Sequence, residues 1–402
     1  MKILIADAFE SFGVAELGAL GAQVSYEPGT KGDALVKRVA ELDPDVLIVR
    51  STKVTSAVIE CAKRLKLIVR AGAGVDNIDI PAASKRGILV SNCPGQNAAA
   101  VAELTIGLII SLDRRIPDNV IDLRAHKWCK KEYSKRSQGL RGMTIGVVGA
   151  GRIGTEVARR ALAFEMNVLY FHLGRNRRLV DFPTARRTDM DELMRLSDVV
   201  TVHVSGGEGT HHLIDDRRIR SMKPTALLVN TSRGGVVDEA ALLAALREGR
   251  IRGAALDVFE NEPSADAPTI DSPCCDVPNL YGTHHIGAST EEAQRAVAQE
   301  TVRIIAQYMQ TGKAINCVNV QERSNATCIL VVRLWNRPGG LAHVFNHLAT
   351  ASINVEEMDH VIYDGGKAAV AQIRLDKRPD EPVLRRIEEH QNVLGTELIA
   401  AD

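Results

Sequence analysis

The feature that most constrains the fold is an unbroken apolar run, Thr144-Ile145-Gly146-Val147-Val148, that opens straight into Gly149-Ala150-Gly151-Arg152-Ile153-Gly154 and then into a helical pattern through Val157, Ala158 and Ala161. An apolar run without alternation reads as a strand buried on both faces, which is the habit of parallel sheets. Glycines at this spacing let the chain turn tightly and let a helix pack closely on the strand it follows. Further runs at Asn167 to Phe171, Asp198 to Val204, Ala226 to Asn230 and Gly253 to Val258 continue the series. An earlier series lies at Ile3 to Ala6, Val46 to Val49, Leu67 to Val69 and Ile88 to Val90. Strands alternating with helices in this way imply an α/β fold with two doubly wound parallel-sheet domains.

A chain of 402 residues is too long for one core and divides into domains. The composition, 45% hydrophobic and 25% charged, suits large soluble cores. Lys+Arg and Asp+Glu both number 50, so the balance gives no reason to expect nucleic acid or an anionic membrane as partner. The longest apolar stretch, Ala98 to Leu112, is interrupted by Glu103 and falls short of the roughly 20 residues that span a bilayer. Met1 leads directly into the first strand, and the chain reads as cytoplasmic. Seven cysteines without zinc-ligand spacing read as reduced thiols, and no metal is expected.

Residues 318–325 are polar and read as a linker. Beyond them, 326–402 show the order strand, helix, strand, strand, helix, strand, which fits a ferredoxin-like α+β domain.

The glycine loop places the N-terminus of a helix, with its unpaired N–H groups and favourable dipole, where a dinucleotide pyrophosphate can sit. About 20 residues further an acid normally takes the adenosine ribose. None occurs from Met166 through Val180, where Arg175, Arg177 and Arg178 stand instead. These suit a 2′-phosphate or a solvated basic loop, so NAD and NADP both remain open. Three later motifs carry chemistry: Asn230-Thr231-Ser232-Arg233-Gly234-Gly235, Asp257-Val258-Phe259-Glu260-Asn261-Glu262-Pro263 and Thr283-His284-His285-Ile286-Gly287. Reduction of a 2-keto acid needs a proton donor at the keto oxygen and a cation on the carboxylate. His285 titrates near neutrality, Glu262 can raise its pKa and fix its tautomer, and Arg233 can fork onto a carboxylate.

In these motifs and their order the chain resembles the D-isomer-specific 2-hydroxyacid dehydrogenases, in particular those with a C-terminal ACT domain. The resemblance implies that Arg233 orients substrate, that Glu262 pairs with His285, and that His285 exchanges the proton. It places the cofactor against Gly149, Gly151, Arg152, Ile153, Gly154, His172, Arg175, His203, Thr231 and Asp257, with Asp257 on the nicotinamide carboxamide. It makes residues 1–98 and 289–317 a flavodoxin-like substrate domain split around a Rossmann domain, 99–288. Arg50, Ser51, Arg70, Ala71 and Gly72 match the family's substrate loops, the two arginines standing where a 3-phosphate could sit. Asn336 and Asn354 match ACT effector positions for a small amino acid, although Leu334 replaces a common histidine. A homo-oligomer, dimer or tetramer, is expected. Two other readings stay open: a hydroxypyruvate or glyoxylate reductase, and a non-catalytic dinucleotide-sensing corepressor. His284, where proline is usual, leaves two adjacent imidazoles; the register with Ile286-Gly287 favours His285.

Overall fold

A computed structural model describes residues 1–135, 137–173, 182–263, 267–321 and 324–401. It divides into two units, Met1–Asn319 and Val320–Asp402.

The first unit holds two sheets whose neighbouring strands all run parallel. One comprises β1 (Lys2–Ile5), β2 (Gln23–Tyr26), β3 (Val46–Val49), β4 (Leu67–Arg70) and β5 (Leu89–Asn92), in the order β2-β1-β3-β4-β5. β3 is Val-Leu-Ile-Val and every residue of it is buried, as both-face burial demands. The second sheet comprises β6 (Thr144–Val148), β7 (Asn167–Phe171), β8 (Arg186–Arg187), β9 (Val199–Val202), β10 (Leu227–Asn230), β11 (Gly253–Leu256) and β12 (Leu280–Gly282). Its order, β12-β11-β10-β9-β6-β7-β8, reverses at β6, and ligands of such sheets gather beyond the carboxyl ends of the strands at that point.

Two long helices tie the sheets to their places in the sequence. The helix Ala98–Arg114 buries Ala102, Ile106, Ile109 and Leu112 against Ile145, Val147 and Val229 of the second sheet. The helix Glu291–Thr311 instead sends Val302, Ile304 and Ile305 back into the core of the first sheet, beside Ile3, Ile5 and Ile48. Val318 and Asn319, read from their polarity as linker, are held on β5. Val318 N–H donates to Val90 O at 2.8 Å, and the Asn319 amide accepts from Val90 N–H and donates to Ile88 O, each at 2.8 Å. Among the described residues no helix is long and apolar enough to cross a membrane.

In the second unit β13 (Cys328–Trp335), β14 (Val355–Ile362), β15 (Ala368–Leu375) and β16 (Val393–Ala400) form an antiparallel sheet in the order β14-β15-β13-β16. The helices Gly340–Thr350 and Glu381–Glu388 bring Val344, Leu348 and Ile387 onto the alternate residues Cys328, Leu330, Val332 and Leu334. This is the ferredoxin-like α+β arrangement. Leu334 is therefore a core residue, 2% exposed. Asn336 and Asn354 are not brought together within one chain. Asn336 follows the Trp335 end of β13, which pairs with Ala368, whereas Asn354 precedes Val355, which pairs with Leu375 at the far end of β15. The strand rise separates these ends by roughly 20 Å.

Candidate active site

β6 delivers the chain into Gly149, whose φ of 104° lies in the region that favours glycine. A Cβ there would also meet the carbonyl of His203 at 2.7 Å. The helix Arg152–Ala163 begins next, with Gly151 as N-cap and no side chain capping it, so its first N–H groups remain open to an anion. Ile153 packs on the core of the second sheet, and Arg152 reaches across to the carbonyl of Pro94, just beyond β5. His203 follows β9, with Nε2 on Thr201 Oγ1 at 2.8 Å, while its Nδ1 is buried without a partner. Burial pulls its pKa down to about 3, so the ring is neutral and offers an orphaned polar atom. A glycine that nothing larger could replace, an uncapped helix start and an unpaired buried nitrogen together fit a dinucleotide. Thr231 is buried, its hydroxyl 3.0 Å from that of Thr105. His172 follows β7; Arg175 lies outside the described residues, as do Arg177 and Arg178.

Arg233 follows β10, and its loop is shaped by Asn230. Asn230 Oδ1 accepts from Ser232 N–H at 3.0 Å and from Ser232 Oγ at 2.7 Å, while Nδ2 donates to Arg233 O at 2.9 Å. The Arg233 guanidinium donates through Nε to Asp76 Oδ2 at 2.9 Å and through Nη1 to Ser232 O at 2.7 Å. Its Nη2 lies over Gly74, where any Cβ would overlap it.

His285, not His284, is the imidazole that faces Glu262: Nδ1 to Oε2 measures 2.8 Å. Glu262 Oε1 is fixed in turn by Phe259 N–H at 3.1 Å. The carboxylate bond raises the His285 pKa above the ordinary imidazole value against the opposing effect of burial. For Glu262 burial pushes upward, but the bond and charge of His285 prevail and its pKa is lowered. The His285 backbone sits at φ 52°, a left-handed conformation that costs a non-glycine residue roughly 1–2 kcal/mol.

What holds it there is Asp257. Asp257 O accepts His285 N–H at 2.8 Å. Its carboxylate, in a residue 1% exposed, accepts from Thr283 Oγ1 at 2.6 Å and from Ile286 and Gly287 N–H at 2.9 Å each. The carboxylate read from the resemblance as a nicotinamide contact is thus engaged by the turn that carries His285.

A cleft of 1280 Å³ runs between the sheets and is lined by Arg50, Arg70, Arg233, Glu262 and His285, together with Ser51, Ala71 and Gly72. The loop Arg50-Ser51-Thr52 wraps Asp7. Asp7 Oδ2 accepts the three successive backbone N–H groups at 2.6, 3.1 and 3.0 Å, and Oδ1 accepts Thr52 Oγ1 at 2.9 Å. Burial alone would raise the Asp7 pKa, but these bonds lower it. Backbone N–H groups of Ala71 and Gly72 are also taken, by Val49 O at 2.7 Å and Arg70 O at 2.8 Å, so those residues can shape the cleft but have no backbone donor left for a ligand. Arg70 is different. Its Nε is buried without a partner, and burial, then Arg233 and Arg50, push its pKa below the ordinary guanidinium value. Sequence reading gave no role to Asp7 or Asp76; the position of Asp7 just beyond the carboxyl end of β1 was the available signal.

Residues 106–287 match the family model described as D-isomer specific 2-hydroxyacid dehydrogenase, NAD binding domain. The chain is 41% identical to the D-3-phosphoglycerate dehydrogenase of Methanocaldococcus jannaschii over 80% of this chain, spanning 60% of that relative's length. It is 43% identical to the hydroxypyruvate reductase of Thermotoga maritima over 68% of this chain and 87% of that protein. Among solved structures, D-lactate dehydrogenase from Aquifex aeolicus, complexed with NAD and lactic acid, superposes with a TM-score of 0.68 at 28% identity, covering 80% of this chain and all of that one.

Proposed function

We propose that this chain, which belongs to the D-isomer-specific 2-hydroxyacid dehydrogenases, oxidises D-3-phosphoglycerate to 3-phosphohydroxypyruvate with NAD or NADP, the entry step to serine. The observation that carries the choice of substrate is the buried, unpartnered Nε of Arg70 in a cleft that Arg50 and Arg233 also line. Three guanidinium groups with one acid, Asp76, bonded among them form a site for a ligand with two anionic groups, and guanidinium is suited to both carboxylate and phosphate.

In this reading Arg233 holds the substrate carboxylate, while Arg70 and Arg50 take the phosphate. His285, held through Nδ1 by Glu262, turns Nε2 to the 2-hydroxyl and accepts its proton. Glu262 stabilises the imidazolium that forms and sets the tautomer that makes Nε2 the acceptor. The bound nicotinamide supplies the hydride acceptor; the glycine turn Gly149 to Gly154, His203 and the uncapped helix would hold it. The 2-hydroxyacid reading of relatives such as the Thermotoga hydroxypyruvate reductase makes the unphosphorylated acid the natural competitor.

Initial rates with D-3-phosphoglycerate, D-glycerate and hydroxypyruvate, each with both nicotinamide cofactors, test this. The phosphorylated acid should be preferred, and Arg70→Gln should raise its KM by roughly 10–100-fold, as loss of a charge-assisted contact worth about 1.5–3 kcal/mol would. KM for D-glycerate should barely change. Equal or better kcat/KM with unphosphorylated substrates would overturn the choice, and absence of turnover with all of them would favour a sensor. We also propose that residues 320–402 act as an ACT domain that joins subunits. Because Asn336 and Asn354 stand at opposite sheet ends, any shared amino-acid site needs a second copy of the chain. Truncation after Asn319 should lower the oligomeric mass measured by light scattering, and an unchanged mass would refute the joining role.

A further inference from the structure

Beside the catalytic turn lies a second cluster for which hydride transfer has no use. His211 and His212 close the loop that follows β9, and Glu260 stands two residues before Glu262. Their ligand atoms, one from each side chain, all lie within 4.8 Å of one another. His212 Nε2 meets Glu260 Oε1, and its Nδ1 faces Asp238 Oδ2 at 3.9 Å. The ring of His211 stacks on that of His212 with centroids 4.0 Å apart. Backbone contacts fix the parts. His212, at φ 47°, donates its N–H to Gly235 O at 2.8 Å. Glu260 N–H is held by Glu239 Oε2 at 3.2 Å. Asp238 Oδ1 caps the helix Glu239–Arg247 through Ala241 N–H at 2.9 Å, leaving Oδ2 toward His212.

We propose that His211, His212 and Glu260 bind one divalent transition-metal ion of the zinc type, with Asp238 as the outer partner of His212. Two imidazoles and a carboxylate are donors that such an ion accepts, with water completing the shell. Around an ion with bonds of about 2.0–2.1 Å, tetrahedral donors stand roughly 3.3 Å apart. His212 and Glu260 must separate slightly and His211 must turn in. His211 is exposed, so its ring turns without disturbing the core. When the ion takes Nε2 of His212, that ring carries its proton on Nδ1, where Asp238 waits. This is the carboxylate–histidine–metal arrangement that orients a ligating imidazole. Two neutral imidazoles and one carboxylate leave the bound ion with a single net positive charge, which Asp238 sits close enough to offset. The ion would bridge the loop ending at His212 to the turn that supplies Glu262.

The test reads binding in the chelator-stripped full chain, so it is independent of substrate identity. Zn²⁺ is titrated against a chromophoric chelator, and Co²⁺ serves as a spectroscopic reporter of tetrahedral geometry. One ion per chain is expected. His211→Ala and Glu260→Gln should each abolish it, and Asp238→Asn should weaken it by roughly 10–100-fold, the usual effect of removing an outer partner. Absence of saturable Zn²⁺ binding below about 100 µM, some 5–6 kcal/mol of binding free energy, would overturn the proposal. So would undiminished binding in His211→Ala, an exposed position whose replacement spares the fold, or loss of the ion only in His284→Ala, which would place it in the catalytic cleft.

Discussion

Two loops on opposite walls of the cleft are built by the same device and carry different loads. The loop after β3 wraps Asp7, and the turn after β12 wraps Asp257; in each an aspartate collects successive backbone N–H groups. Asp257 is 1% exposed and its turn holds His285 in a left-handed conformation, so the aspartate there fixes the group proposed to move a proton. Asp7 is only half-buried and its loop presents Arg50, the cation proposed to hold the substrate's phosphate. A carboxylate at the centre of a turn can therefore serve either chemistry or binding, and the residue it displays decides which. The turn built on Asp257 should govern kcat and the loop built on Asp7 should govern KM.

The largest effect expected is His285→Asn, which should lower kcat by roughly 10²–10⁴-fold, the range for losing a general acid-base, with cofactor affinity kept. His284→Asn, its neighbour on the same cleft, should be mild. Near-normal turnover in His285→Asn, measured with the best substrate, would dissolve the division of labour between the two walls.

Exchanging the central carboxylates sharpens the comparison. Asp257→Asn places an amide NH₂ against N–H groups in a buried site, and each donor left unsatisfied costs about 1–3 kcal/mol. Thermal stability should fall, and kcat should drop by about 5–150-fold as His285 loses its fixed backbone. Asp7→Asn, in wetter surroundings, should raise KM by about tenfold or less and leave kcat nearly unchanged. If both variants acted on kcat alone, the two loops would not differ in load.

How much of this was legible follows from where each residue gets its partners. The buried strands β1, β3, β4 and β6 announced themselves because both faces are covered and each holds an unbroken run of buried residues without polar alternation. The edge strand β2, Gln-Val-Ser-Tyr, has no fully buried residue, and β8 is two arginines, so neither leaves an apolar signature. Arg233, Glu262 and His285 could be singled out because each is of a type whose chemistry suggests a role, and the structure gathers all three on one cleft. The roles of Asp7, Asp76 and Asp257 could not. Asp7 and Asp257 work as acceptors for backbone groups and Asp76 as the partner of Arg233, contacts between segments separated by 43, 29 and 157 positions. Periodicity reports which face a side chain covers and says nothing of which distant N–H or guanidinium will point at it.

The smallest effect concerns protonation, and it separates the two walls by pH. The bond to Glu262 raises the pKa of His285, so in the direction of alcohol oxidation, where the base must be neutral, kcat/KM should fall as pH drops through a value above the usual 6.5 or so of imidazole. Glu262→Gln removes the carboxylate and should move that limb to lower pH. Stability follows the same linkage: a folded-state pKa above the unfolded one means the pair stabilises the fold fully below about pH 6.5 and progressively less as pH rises through the folded value. The wild type should therefore exceed Glu262→Gln in thermal stability by more at about pH 6 than at about pH 9. Asp7→Asn should leave the His285 limb where it was, since Asp7 serves the other wall. An acid limb that stays fixed in Glu262→Gln, or shifts equally in Asp7→Asn, would show that the pH response belongs to the cleft as a whole and not to the turn that Asp257 builds.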